Sequence, residues 1–217
     1  MKEQITIVIA DDHPLFRSGV RQALERNGDL RVLAEAGDGD TAFRLVQEHR
    51  PRVAVLDINM PGMSGLEVAR ALSKEKNAPE IVLLTMFDDE EMLNEAMDLG
   101  VKAYLLKESA SVDVSNAVRA ALDGKHFVSP ALTDKLLQRA RKQSEFKAGH
   151  PGLGELTPTE RKILKHIAES RSSKEIADDM FLSPKTVDNY RFKISEKLGV
   201  HGAYSLLKFA LEHKSLL

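Results

Sequence analysis

Five short apolar runs in the first half of the chain constrain its fold more than any other feature, because four of them lead directly into a chemically useful polar residue. Residues 5–10 lead into Asp11 and Asp12, 53–56 into Asp57, 81–84 into Thr85 and 103–106 into Lys107. The fifth run, 30–34, ends near Glu35 and carries no such group. Near-continuous apolar runs suit strands buried on both faces, as in a parallel sheet covered by helices. In such sheets ligands bind outside the carboxyl ends of the strands. Three carboxylates, a hydroxyl and an ammonium are therefore expected at one edge, a set suited to phosphoryl transfer.

Between the runs, apolar residues recur at helical spacing. Leu15, Val20 and Leu24 form one stripe ahead of an Asn27-Gly28 stop, and Ala42, Leu45 and Val46 form the next, ended before Pro51. Leu66, Ala69 and Leu72 follow, then Met92, Ala96, Met97 and Leu99 up to Gly100, and Val114, Val118, Ala121 and Leu122 up to Gly124. This strand–helix alternation with short links predicts an α/β domain over residues 1–124, a doubly wound five-stranded parallel sheet with helices on both faces.

Residues 125–154 change character and read as a linker. A basic helix is expected within 130–143, and Ala148-Gly149-His150-Pro151-Gly152-Leu153-Gly154 reads as a flexible link. Beyond it, over 155–217, no strand pattern returns. Thr157-Pro158-Thr159-Glu160 places a cap, a proline at the first helical position and a glutamate reaching back. Ser172-Ser173-Lys174-Glu175 repeats the cap, and Ser183-Pro184 opens a third helix that runs to a Gly199 stop. A final helix is expected over about 203–213, completing an all-α four-helix domain. The Met180-Phe181-Leu182 segment is short enough for a helix-turn-helix.

At 217 residues the chain is comfortable for two domains. It has no cysteine, which excludes a disulfide framework and a thiol nucleophile. With no secretory leader and no run of membrane-spanning length, a soluble cytoplasmic protein without a membrane partner is expected. The net charge of -2 hides an asymmetry. Residues 1–124 carry 14 Lys+Arg against 22 Asp+Glu, 125–154 carry 6 against 2, and 155–217 carry 11 against 9. The rear, if either half, meets nucleic acid, although its excess is small. None of the seven histidines shows His-x-x-x-His spacing, so no zinc site is read.

Taken singly, each polar strand end has a plain structural reading. Asp11-Asp12 ahead of Pro14 can cap a helix, and Asp57 before Pro61-Gly62 can be a turn residue. Thr85 can simply end a strand, and Lys107 can be a solvated charge. Their joint placement at four strand ends favours a site.

The stretches IADDHPLFRSGVRQAL, VLDINMPGMSGLE, VLLTMF and VKAYLLK occur in that order in the front half. Together they resemble the receiver domain of two-component response regulators, a flavodoxin-like fold. The rear stretches LTPTERKILKHIAES, SSKEIADDMFLSPKTVDNYR and ISEKLGV resemble the LuxR-type helix-turn-helix. The whole chain is thus similar to a full-length regulator of the NarL/FixJ class.

That resemblance implies that Asp57 accepts a phosphoryl group from a sensor histidine kinase. It implies Mg²⁺ held by Asp11, Asp12, Asp57 and the backbone carbonyl of Asn59, an oxygen set of the kind this ion prefers. Lys107 would pair with the phosphoryl oxygens, Thr85 would hydrogen-bond one of them, and Tyr104 would fill the space opened as Thr85 moves. A homodimer would follow, through the face of the fourth helix, fifth strand and fifth helix, or through the first and fifth helices. The receiver would catalyse only its own phosphorylation and dephosphorylation. Two positions depart from the family pattern. Glu108 follows Lys107 where many receivers have proline, which predicts a softer loop, and Met86 follows Thr85 where many have Ala or Gly.

In the third rear helix Val187, Ile194 and Leu198 share one face, leaving Lys185, Asp188, Asn189, Phe192 and Lys193 opposite. In a helix-turn-helix the early residues of this helix enter the major groove of double-stranded DNA. Asn189 suits adenine, Asp188 a cytosine amino group and Phe192 a thymine methyl. Lys185, Arg191 and Lys193 suit phosphates, and Thr186 completes the interface. Many relatives carry lysine where Asp188 and Phe192 stand. Weak basicity implies two copies on promoter half-sites.

Three other readings compete. An aspartyl-phosphate phosphatase commonly has a second acid two residues after its nucleophile, where this chain has Asn59. A dinucleotide enzyme wants Gly-x-Gly-x-x-Gly after the first strand, and none follows. A receiver whose output acts through protein contacts stays open because of Asp188 and Phe192.

Overall fold

The computed structural model describes residues 4–26, 28–202 and 204–217, so Asn27 and Ala203 of the expected helix boundaries lie outside the described residues. Two compact units emerge, one ending at Lys135 and the other spanning Leu136–Leu217.

In the first unit every apolar run becomes a strand: β1 Ile5–Ala10, β2 Leu30–Ala36, β3 Val53–Asp57, β4 Glu80–Thr85 and β5 Ala103–Leu106. All pair in parallel, in the order β2-β1-β3-β4-β5 followed by a further strand. Alternate strand residues feed two separate cores. Ile7, Ile9, Val55, Leu84 and Leu105 pack under α1 (Pro14–Glu25) and α5 (Lys107–Leu122). Val8, Leu56, Leu83 and Tyr104 pack under α2 (Gly39–His49), α3 (Gly65–Leu72) and α4 (Glu90–Asp98). Burial on both faces is why the strands read as unbroken apolar runs rather than as alternating ones.

The sheet has six strands, not the expected five. β6, Phe127–Val128, adds to β5 through the pairs Ala103↔Phe127 and Tyr104↔Val128. Ser129 follows, buried, and its hydroxyl accepts from the Leu106 amide at 2.9 Å, while Leu132 closes the core. A two-residue strand flanked by Lys125 and His126 leaves no periodic signature. The helix expected within 130–143 becomes a 3-10 turn, Pro130–Leu132, and then α6, Thr133–Gly149. The Lys135 ammonium lies 2.6 Å from Asp88 Oδ1 and donates to the Asp88 carbonyl at 2.8 Å. This ties the first turn of α6 to the loop after β4.

The second unit is helical: α7 Pro158–Ala168, α8 Ser173–Met180, α9 Pro184–Leu198 and α10 Ser205–Glu212. Thr157 and Ser172 each form the reciprocal cap with Glu160 and Glu175, Ser183 caps α9, and Gly199 ends it in the left-handed conformation. The expected flexible link is instead packed. Leu153 joins the helical core with Phe146 of α6, and Gly152 approaches the Lys197 carbonyl so closely that a Cβ would sit 1.9 Å from it. Glycine stands there for contact rather than for freedom.

Glu160 is nearly buried and pairs with Lys197 at 2.7 Å while receiving the Thr157 amide at the same distance. Burial pushes its carboxyl up, but Lys197 and Thr157 outweigh burial and hold it below the usual glutamate range. A lowered folded-state value stabilises the fold above the unfolded group's range, and that contribution is lost as pH falls through the folded value. Glu160→Gln is expected to cost about 1–3 kcal/mol at neutral pH. It should also flatten the acid-side loss of helical stability, as read by denaturant melts at stepped pH.

Candidate functional site

Strand register builds the site. Ala10 pairs with Leu56, Asp57 with Leu84, and Thr85 with Leu106. Asp11, Asp57, Thr85 and Lys107 therefore leave the sheet at the same edge, beside the point where chain order reverses between β1 and β3, the usual ligand crevice of such sheets. All four are buried, and Asp12 is partly open to solvent.

The Lys107 ammonium lies 2.8 Å from both Asp57 Oδ2 and Asp11 Oδ2. Only the Asp57 contact has hydrogen-bond geometry, so the buried Asp11 Oδ2 has no hydrogen-bond donor among the described residues. Asp11 Oδ1 accepts the His13 amide at 2.8 Å, and Asp57 Oδ1 accepts the Asn59 amide at 3.3 Å. Burial pushes the Asp57 carboxyl up and the Asp11 charge adds to this, while Lys107 pulls it back without cancelling the rise. Burial pushes the Lys107 ammonium down, but Asp11 and Asp57 outweigh it and leave it above its ordinary value.

Ligand atoms of Asp11, Asp12, His13 and Asp57 lie within 4.8 Å of one another. Three carboxylates against one ammonium leave excess negative charge in a covered pocket, and one buried oxygen still lacks a donor. That donor set fits a hard cation.

Thr85 ends β4 beside this cluster, with its hydroxyl turned to its own loop, accepting the Phe87 amide at 3.1 Å and donating to the Phe87 carbonyl at 3.3 Å. Tyr104 is fully buried, and its hydroxyl has no hydrogen bond of good geometry among the described residues. Burial pushes it up to about 12, Asp89 and Asp88 act in the same direction, and Thr85 is the polar neighbour that eases it back. The softer loop expected after Lys107 is absent, because α5 begins at Lys107 itself. Met86 is largely exposed.

Sequence reasoning missed three neighbours. His13 Nδ1 lies 2.6 Å from Asp12 Oδ1. Arg17 donates to the Asp11 carbonyl at 2.5 Å and to Glu35 at 3.0 Å. The Lys107 ammonium stands 4.9 Å from the centre of the Phe16 ring. All three follow Asp11-Asp12 within two turns of α1, so helical spacing from that pair was the available signal.

On α9, Lys185, Asp188, Asn189, Phe192 and Lys193 are exposed, and Thr186 and Arg191 are half-buried. Two of them are already engaged. Asp188 accepts from the Ser173 hydroxyl at 2.6 Å, bracing α9 against the start of α8, and the Thr186 hydroxyl meets Ser183 at 2.8 Å within the cap. The Lys193 ammonium lies 5.9 Å from the Tyr190 ring centre.

Residues 7–119 match the response regulator receiver domain family, and residues 154–210 match the luxR family of bacterial regulatory proteins. The chain belongs to the NarL/FixJ family of response regulators. These are transcription regulators that join a receiver to a LuxR-type DNA-binding domain. This response regulator is 33% identical to the probable transcriptional regulatory protein NarL of Mycobacterium tuberculosis, over 99% of this chain and 97% of the relative. It is 38% identical to the oxygen regulatory protein NreC of Staphylococcus epidermidis, over 97% and 98%. Among solved structures, the response regulator RcsB in complex with DNA superposes with a TM-score of 0.58 at 26% identity, covering 95% of this chain and 98% of that one.

One backbone contact holds the centre of the site. Gly65 opens α3 and donates to the Ile58 carbonyl at 3.0 Å, and a Cβ there would sit 2.2 Å from the Asp57 carbonyl oxygen. Gly65→Ala is expected to cost about 1–3 kcal/mol through overpacking. It should also shift the Asp57 and Ile58 amide resonances. Gly19→Ala, inside α1 with a Cβ that meets nothing within 4 Å, serves as the control: it should leave those resonances in place and cost no stability, gaining about 0.5–1 kcal/mol of helix propensity instead.

Proposed function

We propose that Asp57 is the phosphoacceptor of this response regulator and that its modification controls DNA binding and transcription. The observation that carries the reading is the Lys107 ammonium, 2.8 Å from the buried carboxylates of both Asp57 and Asp11 at the carboxyl edge of the sheet.

A carboxylate oxygen of Asp57 attacks the phosphorus of a phosphohistidine on a sensor kinase. The new O–P bond forms as the P–N bond breaks, and the electron pair leaves on the imidazole nitrogen. Lys107 then exchanges its contact with Asp57 for a phosphoryl oxygen, a point charge meeting an anion. Thr85 leaves the Phe87 backbone to donate to another phosphoryl oxygen. Asp11, Asp12, Asp57 and the Asn59 carbonyl would hold Mg²⁺, which when bound offsets the negative charge of the phosphoryl oxygens. Positioning and charge neutralisation account for most of the catalysis in such transfers. The chain performs no chemistry beyond its own phosphorylation and the hydrolysis that reverses it.

The modification replaces the single charge of the Asp57 carboxylate with about 1.5 to 2 negative charges on the phosphoryl group, a net gain of about half to one charge at a buried edge. Thr85, once turned to the phosphoryl group, vacates its bonds to Phe87, and Tyr104, whose buried hydroxyl has no hydrogen-bond partner among the described residues, is the side chain placed to respond. The rearranged receiver then forms a homodimer that presents two copies of α9 to double-stranded DNA. Lys185, Arg191 and Lys193 meet phosphates, Asn189 and Phe192 meet base edges, and Asp188 reads a cytosine amino group while braced by Ser173. Thr186 serves the interface by fixing the first turn of α9. The structure of RcsB dimers bound to DNA, at 25% identity, supports the paired arrangement. A DNA-binding regulator of this family acts in the cytoplasm, and no described helix is long and apolar enough to cross a membrane.

Incubation with acetyl phosphate and Mg²⁺ is expected to label the wild-type chain, and Asp57→Asn is expected to abolish labelling while the chain still melts in a cooperative transition. Beryllium trifluoride with Mg²⁺ should yield a dimer and tighten DNA binding, with affinity falling steeply as salt rises. Labelling retained by Asp57→Asn would refute the assignment.

A further inference from the structure

We propose that Phe16 is a positioning residue for Lys107, its ring acting as a fixed face against which the ammonium is held during phosphoryl transfer. This inference rests on the function proposed above for Lys107.

Phe16 lies in the first turn of α1, half-buried, and packs against the core under α1 and α5. Its neighbour Leu15 points away and is 91% exposed, so the helix presents one apolar side chain to the site and sends the other to solvent. The Lys107 ammonium stands 4.9 Å from the Phe16 ring centre, within the range at which the negative face of a benzene ring attracts a cation. The site screens this attraction little, because the Lys107 side chain is only 3% exposed.

The three neighbours of the ammonium are not equivalent. Asp57 Oδ2 accepts a directed hydrogen bond, Asp11 Oδ2 offers charge without direction, and Phe16 offers a face without a hydrogen bond. On phosphorylation the Asp57 carboxylate becomes an acyl phosphate, and the Asp11 oxygen is the one the cation site would claim. Both anionic contacts of Lys107 thus change during the reaction, and the ring is the neighbour that does not. It limits the swing of the ammonium when its hydrogen-bond partner is exchanged.

Phe16→Leu removes the ring face and leaves a smaller apolar side chain in the same packing, whereas Phe16→Tyr keeps both the ring and its packing. In the unphosphorylated full-length chain, the ring should move the Lys107 ε-methylene proton resonances upfield. Phe16→Leu should abolish that shift and Phe16→Tyr should retain it. With acetyl phosphate and Mg²⁺ as donor, Phe16→Leu should slow labelling of Asp57 by about three- to thirtyfold, and Phe16→Tyr should restore it. A Phe16→Leu rate equal to wild type would overturn the proposal, as would an unchanged lysine resonance or equal slowing by Leu and Tyr. A wild-type chain that takes no phosphoryl group at all would instead refute the receiver chemistry and carry this inference down with it.

Discussion

A buried ammonium shared by two buried carboxylates is the interaction on which this receiver depends. Removing one partner of a buried pair commonly costs about 3–5 kcal/mol, because the survivor is left charged and dry. Lys107 cannot leave unless something else balances Asp57 and Asp11, and the carboxylates cannot be neutralised cheaply while Lys107 stays. Yet the cluster is not balanced. With Asp12 at its mouth the charge remains negative, and the Asp11 oxygen nearest the ammonium receives no directed hydrogen bond. A site closed upon itself would use every acceptor. Under the proposed reading this one keeps capacity for a cation, and Asp57 sits where an added group inherits the same lysine.

The sheet makes that cluster affordable. Each functional side chain stands at or just beyond the end of a strand whose preceding residues are buried on both faces, so its backbone is fixed by ladder hydrogen bonds before its side chain is charged. Gly65 and Arg17 then hold the two acidic loops from outside the sheet. The first lets α3 start against the Asp57 carbonyl, and the second donates to the Asp11 carbonyl. Preorganisation of this kind matters because phosphoryl transfer offers the protein little to do except hold charges in place.

What could be read in the chain follows from how each signal is encoded. Residues 5–10, 53–56, 81–84 and 103–106 were legible because burial on both faces writes itself as consecutive apolar letters, and their terminal residues were legible because parallel strands share an edge. The caps at Thr157, Ser172 and Ser183 were legible because capping is local chemistry spanning three residues. β6 was not, since two residues carry no period and its partner lies far off in sequence. Gly152 misled for a related reason. A glycine-rich stretch has the composition of a tether whether the glycines serve freedom or close approach, and only the Lys197 carbonyl distinguishes the two. Asp188 and Ser173 face each other across two helices, a contact no single-helix pattern contains.

That last contact bears on how the output half works under the proposed reading. An exposed carboxylate on the groove-facing helix opposes the phosphate backbone, and the helical unit has only a small basic excess to set against it. Electrostatic attraction supplies most non-specific affinity, so a single copy of this unit holds DNA weakly wherever it lands. Ser173 moderates the penalty by absorbing one lone pair of Asp188 and fixing the direction of the other oxygen. The weakness then has a use: a unit that does not bind alone must wait for a second copy, and pairing multiplies two modest affinities without any new contact to DNA. Control of pairing by the receiver is sufficient to control occupancy, so the acidic site in one half and the faint basicity of the other belong to the same switch.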